Sequence, residues 1–334
     1  MHIFPTQYSL LSSTALNEYI QESYGLTGTS CKLLIHNVSD TYLLEDTKHK
    51  YIFKIYRDAH RSREEIEAEV ELLNLLKEGG AKVSFPIKDM IGTYLQSFHA
   101  AEGTRYGVLY SFAEGKVIYD LSPEQLTNIG IEMAKIHNIT ASVKLKYPRR
   151  EYTIESTLTS PIKTIQPAFI GLEEEYKWLK DTVQKVGTKI AEFDPVHFST
   201  GYCHYDFLPK NFHFAANGGI TFFDFDFAGK GPLANDLASF YIHFFIEVYT
   251  NKISQEDADK RFHLFIDAYR SVRPLSNEEI KSIPYFGFAF WIFYFEFHYL
   301  HFEDWSNFFF TPKFIKERFT LIKQWTKWYC PAVC

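Results

Sequence analysis

Asp206, Asn211 and Asp224 are the residues whose types and spacing could do chemistry in this sequence. They sit in His204-Tyr205-Asp206-Phe207-Leu208-Pro209-Lys210-Asn211 and in Phe223-Asp224-Phe225-Asp226, with Asp224 thirteen positions after Asn211. A His-x-Asp-x-x-x-x-Asn run followed by a strand-borne Asp supplies what phosphoryl transfer asks of a protein. It offers a carboxylate beside the attacking hydroxyl and hard oxygen ligands for Mg²⁺ beside a nucleotide's phosphates. Pro209 brakes the loop, so that Asp206 and Asn211 are directed toward one point. Asp206 is the candidate group that accepts or orients the acceptor's proton, a contribution of roughly two to four orders of magnitude in rate. Asn211 offers its amide oxygen to the metal, although each residue alone also suits an Asx turn before a strand.

The second half of the pattern raises the stakes. Ile220 to Phe227 reads as a strand with Phe222, Asp224 and Asp226 on one face and Phe223, Phe225 and Phe227 on the other. Carboxylates flanked by Phe are costly unless a cation neutralises them. Asp224 is therefore the first candidate metal ligand, and Asp226 a second ligand or the holder of a bound water. A surface strand with its polar face in water is the alternative.

The elements that must position these groups are legible from periodicity. Cys31 to Arg57 reads as an antiparallel meander, with apolar runs at Lys32–Ile35 and Tyr51–Tyr56 separated by turns at His36–Asp40 and Asp46–Lys50. A helix follows, opened by the capping box Ser62-Arg63-Glu64-Glu65, carried by Ile66, Val70 and Leu73, and ended by Gly79-Gly80. Strand-like sequence returns from Ala81 to Phe98 and from Tyr106 to Phe112, and Ala113-Glu114-Gly115 marks the boundary of the first lobe. Ser122-Pro123-Glu124-Gln125 then caps a helix running through Ile129, Met133 and Ile136. Lys144 to Ile170 reads as an irregular connection, and helices dominate thereafter except around Asp206.

Composition narrows the class. A chain of 334 residues has room for two lobes meeting at a cleft, and 46% hydrophobic with 23% charged residues describes an ordinary globular protein. Aromatic residues reach 18%, which points to a ring-packed core with some rings lining a pocket. A net charge of −6 without a basic stripe argues against a nucleic-acid partner. The first residues, Met1 to Thr6, lack the basic and apolar regions of a signal peptide, so a cytoplasmic location is expected. Four scattered cysteines, Cys31, Cys203, Cys330 and Cys334, read as reduced thiols, with Cys330-x-x-x-Cys334 a weak metal or disulfide hint. Tyr285 to Phe302 is nearly all apolar, but Glu296, His298 and His301 make it a buried helix and not a membrane span. Alternation of Phe286, Phe288 and Phe290 suits a strand as well.

The runs His204–Phe214 and Ile220–Phe240 resemble the catalytic and metal-binding core of the aminoglycoside phosphotransferase / choline kinase-like superfamily, which includes homoserine-kinase-type enzymes and is distantly similar to protein kinases. The resemblance implies that Asp206 is the catalytic base, that Asn211 and Asp224 hold Mg²⁺, and that Asp236 braces the catalytic loop from a helix start, with His204 in the same bracing role. It also calls for a strand lysine on the α- and β-phosphates, which Lys54 matches, and for a helix carboxylate paired with that lysine. Glu69 matches the latter, with Glu65, Glu67 and Glu71 as neighbours that keep the assignment open. The turn Ile35–Tyr42 has no glycine, so Asn37 and Ser39 are the candidates for phosphate contact in place of a Gly-rich loop. Adenine is expected near the backbone of Tyr110–Ala113. Lys210 is either a point charge for the transferring phosphoryl group or a solvated lysine.

The expectation is thus a bilobal, protein-kinase-like α+β fold. Residues 1–112 form an antiparallel-sheet N-lobe with one helix that binds nucleotide, and residues 113–334 a mainly helical C-lobe with the catalytic loop, metal site and acceptor site. The reaction is ATP- and Mg²⁺-dependent transfer of the γ-phosphate to a small-molecule hydroxyl: an amino alcohol, a hydroxy amino acid or an aminoglycoside. Tyr294, Glu296, Glu303, Asp304 and Trp305 are candidates for holding a cationic acceptor through charge and cation–π contacts, with ordinary core and surface as the alternative. A protein Ser/Thr kinase of the same fold and a non-catalytic nucleotide-binding scaffold are the competing readings.

Overall fold

The computed structural model describes residues 5–57, 60–302 and 310–333. Helix α1 (Ser13–Tyr24) comes first, then strands β1 (Ser30–His36), β2 (Ser39–Glu45) and β3 (Lys50–Tyr56), helix α2 (Arg63–Glu78), and strands β4 (Pro86–Ile87), β5 (Leu95–Ala100) and β6 (Gly103–Ser111). Helices α3 (Pro123–Thr140), α4 (Ser160–Thr164) and α5 (Glu173–Glu192) precede strands β7 (Thr200–Cys203), β8 (Phe212–Phe214), β9 (Ile220–Phe222) and β10 (Gly229–Pro232). Helices α6 (Ala234–Tyr249), α7 (Gln255–Arg270), α8 (Asn277–Phe302) and α9 (Pro312–Tyr329) follow. The chain divides into two compact units: Met1–Lys116 with Lys144–Pro148 and His213–Phe223, and Val117–Val143 with Arg149–Phe212 and Asp224–Cys334.

The first unit is built on an antiparallel sheet of order β1-β2-β3-β6-β4, with β5 also on β6. Alternation sorts its side chains. Tyr42, Leu44, Phe53 and Ile55 pack with Leu16 and Ile20 of α1, one turn apart on that helix. Lys54 and Tyr56 therefore project from the opposite face of β3. Helix α2 starts with the expected capping box, in which Ser62 accepts from the Glu65 amide and the Glu65 carboxylate accepts from the Ser62 amide. Residues Lys82–Ser84 exchange backbone hydrogen bonds with Phe222, which ties β9 to this unit.

The second unit is mainly helical. Helix α3 carries the expected box, Ser122 with Gln125, and Pro123 in its first turn. The ring-rich stretch from Tyr285 is helical and buries Phe288, Ile292, Phe293 and Phe295. No helix among the described residues is long and apolar enough to cross a membrane. Cys31 and Cys203 are free thiols, and Cys334 lies outside the described residues.

Three expectations change. Helix α1, with Ser12 as its N-cap and a left-handed Gly25 at its end, is an element the sequence reading does not include. Residues 144–170 are not simply irregular: a π-helical turn, α4 and a 3-10 turn bury Leu158, Ile162 and Ile165. The strand expected from Ile220 to Phe227 stops at Phe222, because Asp224 takes a left-handed backbone (φ 62°, ψ 60°) and Phe225–Phe227 coil into a 3-10 turn. Asp224 and Asp226 therefore do not share a strand face; Asp224 is exposed and Asp226 is buried.

Candidate active site

Strand β7 pairs with β10 and delivers the chain to Asp206. The loop that follows is held from below by Asp236 in the first turn of α6, whose fully buried carboxylate accepts the amides of His204 (2.8 Å) and Tyr205 (2.6 Å). Asp236 also receives His137 Nε2 at 2.9 Å, and His137 Nδ1 meets the Tyr269 hydroxyl at 2.8 Å. With Nε2–H donating to the carboxylate, Nδ1 is left to accept from the phenol. The Phe207 amide bonds Ser239 Oγ at 3.1 Å. Helices α3, α6 and α7 thus fix a loop in which Tyr205 is itself left-handed (φ 69°), a conformation that costs a non-glycine residue roughly 1–3 kcal/mol and persists only where neighbours over-determine it.

Asp206 is 2% exposed. Its Oδ2 takes Asn211 Nδ2 at 2.9 Å and Lys210 Nζ at 2.8 Å, with the Tyr294 hydroxyl at 3.4 Å. Its Oδ1 is buried with no hydrogen-bond partner among the described residues. Buried carboxylate oxygens are seldom left unmade, so this atom is the natural seat for a donor brought by a ligand. Lys210 is tied, and not merely solvated: burial pulls its ammonium toward neutrality, but Asp206 and Tyr294 outweigh that and the net shift is upward. Burial, then the Asp206 carboxylate, raises the Tyr294 phenol, which Asp224 raises further. Both carboxylates therefore act on one phenol, and that phenol marks where the two halves of the motif converge.

Asn211 spends its amide nitrogen on Asp206, at the carbonyl (2.8 Å) as well as at Oδ2, and so keeps its amide oxygen for another partner. That oxygen and the exposed Asp224 carboxylate fit a hard divalent ion such as Mg²⁺, which takes one or two protein oxygens and completes its shell with phosphates and water. Among the described residues no cluster of three or more His, Cys, Asp or Glu is poised to hold a metal by itself. The Asp224 turn is braced by Arg149, which donates to the carbonyls of Phe225 (3.0 Å), Asp226 (2.7 Å) and Ala228 (2.8 Å).

In the first unit, Lys54 is buried on β3, with its ammonium 5.0 Å from the Tyr56 ring centre, and the Tyr56 hydroxyl is 2.8 Å from that of Tyr110. Glu69 is 2% exposed on α2. The Tyr110 phenol is raised by burial, by Tyr56 and by Glu69, and lowered by Lys54, so Lys54 and Glu69 both act on that phenol. The neighbouring glutamates are otherwise engaged: Glu65 in the capping box, Glu67 with Arg63 at 2.8 Å, and Glu71 with the Lys146 amide at 2.8 Å. Asn37 closes the β1–β2 hairpin, its side chain accepting the Val38 amide at 2.8 Å, and Ser39 is buried at the start of β2 opposite Tyr56. The expected turn His36–Asp40 is narrower than its limits, since Ser39 and Asp40 already pair in β2.

Residues 31–275, well over half of the chain, match the family model of the phosphotransferase enzyme family, APH. The chain belongs to this family. As a phosphotransferase with an alcohol acceptor it has relatives over most of its length. An uncharacterized protein of Synechocystis is 31% identical over 287 residues, covering 84% of this chain and 76% of that one. A homoserine kinase of Rhizobium meliloti is 26% identical over 257 residues, covering 77% and 74%. Among solved structures, that of the amicoumacin kinase hAmiN with AMP-PNP, Ca²⁺ and Ami superposes with a TM-score of 0.75 at 18% identity, over 95% of this chain and 94% of that one. The phosphotransferase therefore has the kinase-like α+β fold.

Sequence reasoning missed two features of this phosphotransferase site. Arg149, 8% exposed, lies in the stretch read as a connection, and no local motif announces it. Tyr294, a candidate for the acceptor, also belongs to the Asp206–Lys210 cluster, a contact that no local motif announces. Of its expected companions, Glu296 is raised by burial, with Thr164 and Arg150 opposing, and lies two residues on, on another side of α8. Glu303, Asp304 and Trp305 fall outside the described residues.

Proposed function

We propose that this phosphotransferase moves the γ-phosphate of ATP, with Mg²⁺, to a hydroxyl of a small molecule. The observation that carries the reading is the buried Oδ1 of Asp206, unpartnered among the described residues, on a carboxylate whose other oxygen is held by Asn211 and Lys210. An acceptor hydroxyl donating to Oδ1 is oriented for in-line attack. The hydroxyl oxygen bonds to the γ-phosphorus, the bond from that phosphorus to the bridging oxygen breaks, ADP leaves, and the proton passes to Asp206. Lys210, fixed by Asp206 and Tyr294, sets a positive charge beside the reacting group.

Lys54 is assigned to the nucleotide's phosphates, Glu69 to holding Lys54, and Asn37 and Ser39 to the hairpin that covers the phosphates. Asn211 and Asp224 hold Mg²⁺, which supplies charge neutralisation on the phosphate oxygens. The AMP-PNP and Ca²⁺ of the hAmiN complex support the choice of a nucleotide and a divalent ion as cofactors. Kinases of homoserine, ethanolamine and aminopropanol among the relatives and fold neighbours support a small hydroxylated acceptor carrying an amino group.

The test is ATP consumption against ethanolamine, homoserine and spectinomycin, each with and without Mg²⁺, together with nucleotide-binding calorimetry on Asp224→Ala. The reading expects turnover of at least one acceptor and a loss of the Mg²⁺-dependent part of ATP binding in the variant. Mg²⁺-dependent binding that survives Asp224→Ala unchanged removes Asp224 from the metal site.

A further inference from the structure

Arg149 and Tyr152 reach both halves of the candidate site from a segment that carries neither motif. Arg149 donates to the carbonyls of Phe225, Asp226 and Ala228, and the Tyr152 hydroxyl donates to that of Phe227. Four consecutive carbonyls after Asp224 thus end on two side chains. The backbone adds two bonds, Lys230 N–H to Arg150 O at 2.8 Å and Tyr152 N–H to Lys230 O at 2.7 Å.

The same Tyr152 ring lies flat on Tyr205, with centroids 3.5 Å apart and planes 3° apart. Tyr205 immediately precedes Asp206. Phe293 of α8 stands edge-on to both rings, at 5.8 Å and 5.0 Å. This approach requires glycine in β10: a Cβ on Gly229 would come within 2.6 Å of both the Arg150 carbonyl and the Tyr152 ring, and one on Gly231 within 3.0 Å of Tyr152 Cβ.

We propose that Arg149 and Tyr152 form a clamp that holds the Asp224 turn and the Asp206 loop in one fixed relation. The proposal rests on the reading of Asp206 as base and Asp224 as metal ligand. Neither clamp residue is assigned to substrate or metal; both are positioning residues. The physical need is plain, because Tyr205 and Asp224 both hold left-handed backbones that relax unless their surroundings prevent it. Tyr152 reaches both segments: its ring presses on Tyr205, and its hydroxyl ties Phe227, three residues past Asp224. A shift of one loop is thereby transmitted to the other.

The experiment compares wild type with Tyr152→Leu, Tyr152→Phe and Arg149→Met. Backbone hydrogen exchange on ligand-free protein reads the coupling without turnover, and steady-state kinetics with Mg²⁺-ATP and whichever of ethanolamine, homoserine or spectinomycin is phosphorylated reads its effect. In Tyr152→Leu, exchange quickens in residues 204–208 and 225–230 together. Its kcat falls about 10–100-fold, the scale on which supporting residues act on a metal site, while KM for ATP stays within about twofold and half-saturating Mg²⁺ rises. Tyr152→Phe keeps the ring stack, loses the hydroxyl and restores part of kcat. Should Arg149→Met fail to fold, the two Tyr152 variants decide. Faster exchange in only one of the two segments, or a wild-type kcat in Tyr152→Leu, overturns the clamp. If Asp206→Ala is inactive while Tyr152→Leu behaves as wild type, the clamp alone fails; if Asp206→Ala turns over like wild type, the underlying reading fails with it.

Discussion

The Lys210 ammonium lies 2.8 Å from Asp206 Oδ2 and 3.1 Å from the Tyr294 hydroxyl. This pairing occupies one oxygen of the carboxylate and leaves the other to a ligand, so Lys210 sets the orientation of the proposed base. The lysine side chain is 45% exposed but the Asp206 carboxylate is buried, so removing the ammonium leaves a buried charge uncompensated and costs stability. Lys210→Met is therefore expected to lower the melting temperature and to lower kcat by roughly 10²-fold, the scale for removing one charge-stabilising group. Thermal unfolding and steady-state kinetics on the same preparation check this. A kcat within about twofold of wild type would assign Lys210 to the surface.

Lys54 and Glu69 form the second test. Lys54→Met is expected to weaken ATP by about 10-fold or more and to reduce kcat, because it removes the charge assigned to the phosphates. Glu69→Gln keeps the volume of the buried side chain and is expected to produce the same pattern at smaller size, with KM for the acceptor unmoved. Glu67→Gln, which breaks only the pair with Arg63, serves as the control and is expected to match wild type. Nucleotide titrations of the three variants separate the cases.

How much of this is readable in the sequence depends on range. Asp206, Asn211 and Lys210 lie within one loop, so their spacing along the chain is nearly their arrangement in space. Lys54 sits in a clean strand, and Glu69 in a helix whose caps are spelled out by Ser62, Glu65 and Gly79. Helix α1 has comparable signals in Ser12, Leu16, Ile20 and Gly25, yet only two buried positions mark its apolar face, too few to stand out by periodicity. The end of β9 is not readable, since alternating Phe and Asp continues as if the strand did, and only Asp224's left-handed backbone breaks it. Arg149 and Tyr152 act on carbonyls and on a ring far away in sequence, and backbone acceptors leave no mark on residue type.

Acid sensitivity follows from His243. Burial pulls its imidazole down from the usual range to about 4, against a hydrogen bond to the Tyr119 carbonyl at 3.0 Å that pushes the other way. The unfolded chain, with an ordinary histidine near 6.5, takes up the proton first. The stability tied to neutral His243 is therefore complete above about pH 6.5 and is lost as pH falls from there toward 4, a limit of about 3 kcal/mol. Buried His298, also lowered to about 4 by burial, acts in the same direction. Melting temperatures recorded from pH 7.5 to 4.5 are expected to fall less steeply for His243→Gln than for wild type. Parallel curves would show that this histidine takes up its proton over the same pH range in the folded and the unfolded chain.

The central claim is that Asp206 carries the transfer, and the most direct measurement compares wild type with Asp206→Ala in ADP release from Mg²⁺-ATP with ethanolamine, homoserine and spectinomycin as acceptors. Asp206 lies 2% exposed with Oδ1 unpartnered among the described residues, so the variant is expected to bind ATP nearly as wild type does and to lose about 10²–10⁴-fold in kcat on every acceptor that wild type uses. Equal turnover by the two proteins on those acceptors would contradict the account.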